Sequence, residues 1–239
     1  MGLPPTRILI AYSALLLLSS NLGAGPDSGT LAGIVTFQGT PPKRTPFDLA
    51  RDPACAKLHA ANPLLDELIV TGRGNGLANV VVYVSAGEPD SSSPPSSPAF
   101  FKQRGCRYAP HVLPVSVGQE VKIVNIDPAP HDIHPAAKVN RDWSRIQPPQ
   151  TPPFSYSYEK PEIIPVKCNI HPWMQGYLVV LKTTHFAVTG EDGVFRLPDL
   201  PPGKYTVTAW HESLGTQSQE VTVTPGGTTS LYLTFSPKS

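Results

Sequence analysis

Charge is scarce and balanced in this chain, with 19 Lys and Arg against 18 Asp and Glu. That near-neutrality offers neither the basic stripe that grips nucleic acid nor the positive face that meets an anionic membrane, so neither is expected as a partner. Long apolar runs are missing apart from one at 8–18, which is too short for a comfortable membrane span. Helix-friendly composition is missing as well: 29 prolines and 19 glycines punctuate the chain, which suits short strands and many turns. No Gly-x-Ser-x-Gly occurs, so the nucleophile elbow of many hydrolases is excluded. Cysteine is limited to Cys55, Cys106 and Cys168, and no second Cys-x-x-Cys or Cys-x-x-His pair exists to close a structural zinc site.

The apolar run follows Arg7 and gives way to small and polar residues up to Ser28. This layout predicts a secretory signal peptide over residues 1–24 and a mature chain that is periplasmic or secreted, with no membrane span. Beyond it, β-branched or aromatic runs bounded by Gly and Pro at 31–37, 79–84, 112–117, 121–125, 176–182, 204–210, 219–224 and 229–235 predict an all-β protein. Only 48–68 has helical character. Residues 91–98, Ser-Ser-Ser-Pro-Pro-Ser-Ser-Pro, read as an exposed linker, and a second polar, proline-broken stretch runs over 138–153.

What the chain does hold is Cys168-Asn-Ile-His171-Pro-Trp-Met174, a thiolate, an imidazole and a thioether within seven residues. Sulfur donors of both kinds select copper over hard cations. Zinc also accepts a Cys-x-x-His pair but has no use for Met174. A further ligand is expected from His131 or His134, just after the strand at 121–125.

Asn125-x-Asp127-x-x-x-His131, taken with Cys168-x-x-His171-x-x-Met174 and Gly176, resembles the two ligand loops of the cupredoxins, in particular the plastocyanin and amicyanin type. The resemblance implies one mononuclear type 1 copper held by His131, Cys168, His171 and Met174, and electron transfer as the function. His131 rather than His134 matches the family spacing, and residues three apart on a strand face opposite ways. Asp132 stands where the family usually has an Asn that ties the loops together; Asp132, Asn169 and His134 would surround the ligands. In the family the loop-side His is a partly exposed edge, which makes Pro172 and Trp173 an apolar rim for brief docking to a periplasmic or extracellular redox protein. Trp173 fits equally well as a core aromatic that closes the site from water.

With Cys168 assigned to copper, Cys55 and Cys106 are left, and two exported cysteines most often pair; two separate buried thiols are the alternative. His111, His185 and His211 are scattered and read as core or surface groups. Asn169 after Cys168 breaks the His-Cys-His bridge of multicopper enzymes, and a single loop cysteine excludes a binuclear centre, so no catalytic activity of its own is expected. Copper storage, delivery or sensing and a non-catalytic surface binding module are the competing functions.

The flanks carry a second resemblance. A Gly-rich opening strand at 29–39 and, near the end, Asp192-Gly-x-Phe195 with Pro202-Gly-x-Tyr205 resemble the carboxypeptidase regulatory-like, or transthyretin-like, β-sandwich. The expected fold is therefore a cupredoxin Greek-key β-sandwich, residues 99–184, inserted in or fused to a transthyretin-like β-sandwich built from 29–90 plus 185–237. Glu191-Asp-Gly193 supplies the positive φ of a tight hairpin, and Pro202-Gly203 a turn.

Overall fold

The computed structural model describes residues 27–87 and 93–237; the expected signal peptide and the first two residues of the expected linker lie outside them. Before the linker come β1 (Gly29–Phe37), α1 (Pro53–Leu58) and β2 (Val81–Ala86). After it, β3 (Ala99–Gln103), β4 (Tyr108–Ala109), β5 (Val112–Ser116), β6 (Val121–Asn125), β7 (His131–Pro135), β8 (Arg145–Gln147), β9 (Phe154–Tyr156), β10 (Glu162–Cys168) and β11 (Gln175–Leu181) follow in succession. The chain ends with β12 (Phe186–Val188), β13 (Val194–Leu200), β14 (Gly203–His211), β15 (Gly215–Val223) and β16 (Thr228–Phe235). The fold is all-β and sandwich-like. Helix in the 48–68 segment is confined to α1, which Asp52 caps by accepting from Cys55 N; Pro53 at the first turn suits that start.

Strands β3 to β11 pair only among themselves, in sheets ordered β5-β11-β10-β7-β8 and β4-β3-β6-β9. The strands before and after them mix, in sheets ordered β13-β1-β16 and β12-β2-β14-β15. β1 and β16 run parallel in register from Thr30↔Thr228 to Phe37↔Phe235, which joins the two ends of the described chain. Each pair of sheets closes on its own core. Leu31, Val35, Phe37, Val207 and Leu231 fill the outer sandwich; Phe101, Val121, Ile133, Ile164 and Leu178 fill the inner one.

One expected turn is corrected. Gly193 does adopt positive φ, at 70°, and its N–H closes the turn on Gly190 O at 2.9 Å. Yet β12 and β13 on either side of it belong to different sheets, so the segment crosses the sandwich and is no hairpin. β13 pairs with β1 and β12 with β2, and the turn passes so close to β1 that a Cβ on Gly193 would lie 2.1 Å from Val35 O.

The sandwiches meet through strands that bury both faces. Along β2, Val82 and Val84 enter the outer core while Val81 faces a third cluster with Val112, Val179, Leu181 and Trp210. Along β11, Leu178 and Val180 enter the inner core and Val179 and Leu181 the shared cluster. Period-two alternation with both sides covered explains the unbroken apolar runs at these positions.

Beside that cluster His111, just before β5, meets Glu212, just after β14, in a short buried contact; Glu67 Oε2 lies 3.7 Å from its other ring nitrogen. Arg107 reaches Glu67 at 3.7 Å. Burial alone would lower the His111 pKa, but Glu212 and then Glu67 outweigh it and raise the value. Neighbouring His211 is pushed down to about 4, chiefly by burial. A raised folded-state pKa stabilises the protein fully below the unfolded value of about 6.5 and loses that effect as pH rises through the folded value. Glu212→Gln is therefore expected to cost about 1–3 kcal/mol near pH 6, with the gap from the parent shrinking under alkaline conditions. Urea unfolding across pH checks this; a pH-independent gap would show that His111 does not carry the effect.

Candidate metal centre

Two segments far apart in sequence build the centre. The first is the loop after β6, organised by Asn125, whose side chain donates to Ala129 O and Gln147 O, both at 2.9 Å, and accepts from Asp127 N at 2.9 Å. It delivers His131 to the first position of β7. Alternation along β7 buries His131 and leaves His134 half-buried on the other face, 3.2 Å from Asn169 Oδ1 and 2.8 Å from Asp142 Oδ1.

The second is the turn from β10 to β11. Pro172 sits at the second position of a β-turn closed by Met174 N donating to His171 O at 3.0 Å, the place proline favours. Cys168 N donates to Met174 O at 3.1 Å, so Cys168, His171 and Met174 share one closed loop. All three are buried.

The donors converge. His131 Nδ1 lies 3.0 Å from His171 Nδ1, and Cys168 Sγ lies 3.6 Å from His171 Nδ1. The ligand atoms of the three residues all fall within 4.8 Å of one another. Met174 packs in the same core cluster as Cys168. The structure thus brings His131, Cys168 and His171 together, with Met174 buried on the loop that carries two of them, and leaves His134 outside.

The outer nitrogens settle what the inner ones can offer. His131 Nε2 is 2.9 Å from Asp127 Oδ2, and His171 Nε2 is 3.0 Å from Asp52 Oδ2. An ionised carboxylate only accepts, so each ring carries a proton on Nε2, and a ring with no second proton turns its Nδ1 lone pair inward. Two ring nitrogens facing at hydrogen-bond distance, beside a thiol, call for a positive charge among them, either a proton or a metal cation. That donor set fits a soft or borderline metal cation. Burial disfavours the Cys168 thiolate, but the His131 ring and the N–H groups of Asp132, His171 and Ile170 outweigh it and lower the thiol pKa. Burial would likewise raise the Asp127 pKa, yet His131 and the N–H groups of Cys106 and Gly105 hold it low.

The loops are tied to each other through Asp132 and Asn169. Asp132 N donates to Cys168 Sγ at 3.4 Å, Asn169 N to Asp132 O at 3.0 Å, and Asn169 Nδ2 to Asp132 Oδ2 at 3.0 Å. An aspartate at this position keeps the tie because its neighbour supplies the amide donor.

Cys55 and Cys106 form a disulfide, Cα–Cα 5.8 Å, that fastens α1 to the loop before β4. Cys168 is the remaining free thiol. Asp52 and Asp127, the two carboxylates behind the imidazoles, flank this link, and sequence reasoning missed both in that role. Asp127 was visible only as part of the loop pattern; Asp52 reads locally as a helix cap, 119 residues from His171.

The expected exposed edge on His171 is corrected. The residue is 1% exposed, because Asp52 covers Nε2 and Trp173 packs at 4.9 Å between ring centroids. Trp173 itself is half-buried and donates from Nε1 to Cys106 O at 3.2 Å, so it closes the site, while Pro172 alone of the expected rim is exposed.

A family model of the carboxypeptidase regulatory-like domain matches residues 173–236. No curated protein sequence matches the chain. Among solved structures the chain is similar to the copper-containing nitrite reductase of Thermus scotoductus SA-01, at 22% identity over 42% of this chain, with a TM-score of 0.35; it spans only 25% of that enzyme's chain. It is similar to the purple cupredoxin of Nitrosopumilus maritimus at 22% identity, over 34% of this chain and 98% of that one, with a TM-score of 0.30. A methionine-to-alanine mutant of amicyanin, in its Cu(I) form, is 23% identical over 38% of this chain and 93% of that one, with a TM-score of 0.31. Among the described residues, no helix is long and apolar enough to cross a membrane.

Asp127 takes Gly105 N in a short contact, Cys106 N at 2.8 Å and His131 Nε2. Asp127→Ala strands three donors in a buried setting, and a loss of about 3 kcal/mol or more is expected in urea unfolding of the metal-free protein. A loss under about 1 kcal/mol would mean that water replaces the carboxylate at little cost.

Proposed function

We propose that this chain is an exported electron carrier that would bind one type 1 copper through His131 Nδ1, Cys168 Sγ and His171 Nδ1, with Met174 as a weaker fourth donor. The observation that carries the reading is the inward convergence of two imidazole Nδ1 atoms on one buried thiol. Copper in such a set supplies one-electron exchange between Cu(II) and Cu(I). The chain's own contribution is rigidity and dryness: Asp127 and Asp52 fix the ring orientations, the Asp132–Asn169 tie fixes the spacing of the loops, and Trp173 shuts out water. Residues 99–184 form the copper unit within a sandwich of 29–90 plus 185–237. The partner is a periplasmic or extracellular redox protein, and the chain has no catalytic activity of its own. Buried donors with covered outer nitrogens favour a retained metal over one passed on, which argues for a carrier above storage, delivery or sensing.

Loading the purified protein with Cu(II) and recording visible and electron-spin-resonance spectra tests the reading. One equivalent of copper and an intense thiolate-to-copper band are expected; Cys168→Ser and His131→Ala should abolish the band, and His134→Ala should keep it. Colourless protein that prefers zinc, or a band that survives Cys168→Ser, overturns the assignment.

A further inference from the structure

Asp52 occupies an unusual station. Its Oδ1 accepts from Cys55 N at 2.8 Å and so caps α1; its Oδ2 faces His171 Nε2 at 3.0 Å. Asp52 belongs to the stretch between β1 and β2, strands that pair only within the outer sandwich, whereas His171 lies between two strands of the inner one. Residue 55, on the first turn of α1, is cross-linked to Cys106. Cys106 is anchored in turn by its N–H on Asp127, the carboxylate that holds the other imidazole, and by its carbonyl under Trp173 Nε1.

We infer that Asp52 is a positioning residue for His171, held in place by the Cys55–Cys106 disulfide, so that the metal centre is completed by a residue from the outer sandwich. This inference rests on the copper reading above. A ring on a short turn rotates about two side-chain bonds, and a lone pair aimed inward persists only if something fixes the other nitrogen. Asp127 does this for His131 from within the same loop. Nothing in the loop 168–174 does it for His171; the carboxylate arrives from outside, and the cross-link removes the freedom α1 would otherwise have to swing away. The same contact closes the ring edge to water and to small external ligands.

Asp52→Asn separates this role from helix capping. Asparagine is among the best N-caps, but one of the two oxygen positions becomes an NH2 group that only donates, so with its oxygen on Cys55 N it presents no acceptor at the position facing His171 Nε2. Asp52→Ser caps the helix and offers no anion to the ring. In the full-length, metal-free parent, long-range proton–nitrogen NMR of the histidine rings should show His171 with its proton on Nε2 and slow exchange of that proton. In both variants, with the disulfide confirmed intact, the slow exchange should be lost. After copper loading, transfer to an excess of chelator should be about 10- to 100-fold faster than in the parent, and the copper hyperfine splitting should change. A Cys55→Ser/Cys106→Ser double variant, with Asp52 present, should shift in the same direction. Retention of the His171 proton signal, with copper loss within about twofold of the parent, would reduce Asp52 to a helix cap and overturn the inference. If none of the proteins takes up copper, the copper reading fails while the metal-free NMR comparison still decides the hold of Asp52 on the ring.

Discussion

A neutral imidazole has one proton and one lone pair, and whatever fixes the proton aims the lone pair. The centre depends on this constraint. Asp127 and Asp52 hold Nε2 of His131 and His171 respectively, and both carboxylates are held by the local structure around them. Asn125 shapes the loop that presents Asp127; the cap of α1 and the Cys55–Cys106 link hold Asp52. Cys106 stands between them, bonded through sulfur to the helix that Asp52 begins and through its N–H to Asp127. Removing any one member leaves a buried donor or acceptor unpaired, which costs more than the bond itself contributed.

The joint between the sandwiches follows from two-sided strands. β2, β11 and β14 each have a second buried face, and Val81, Val179 and Trp210 meet on it with Tyr177 and Trp210 rings 5.2 Å apart. Burial of apolar area is non-directional, so it sets proximity without register. Register comes from the polar contact at its margin, where His111 and Glu212 pair across the joint, and from the Cys55–Cys106 disulfide. A carboxylate could not be placed to within hydrogen-bond distance of a ring in another sandwich if the joint slid.

The sequence was most legible where chemistry and spacing are local. Cys168, His171 and Met174 share a seven-residue turn, so a pattern of residue types was enough to single them out, and strand signals such as 121–125 agree with β6 residue for residue. Strand β10 escaped notice because Pro165 sits inside it, and proline argues against a central strand; here Pro165 still offers its carbonyl, which accepts from Ala136 N at 2.9 Å. The short β8 lies inside the polar stretch 138–153, and the three-residue β9 begins just after it, though β8 is what pairs with β7 beside His131. The turn at Gly193 was legible as backbone conformation but not as topology, since positive φ is a local property and sheet membership is not. Asp52 is the extreme case. Its local signal, an Asp-Pro before a short helix, is complete without reference to the metal centre, and only the three-dimensional fold brings it to His171.

Closure of the His171 edge also changes how the centre can meet a partner. With Nε2 occupied by Asp52 and the ring packed on Trp173, the imidazole is buried from contact with another protein, and the exposed residues on either side of it are Ile170 and Pro172. The same enclosure keeps water from the donors and leaves the rings and the thiol little room to rearrange. A centre whose donors stay in place while charge changes suits rapid one-electron exchange, because what does not move in the reaction need not be reorganised for it. A site built for delivering its metal would have the opposite requirement, an accessible donor that can let go. Here the donor on the turn is held from behind by a group on a cross-linked helix of the other sandwich.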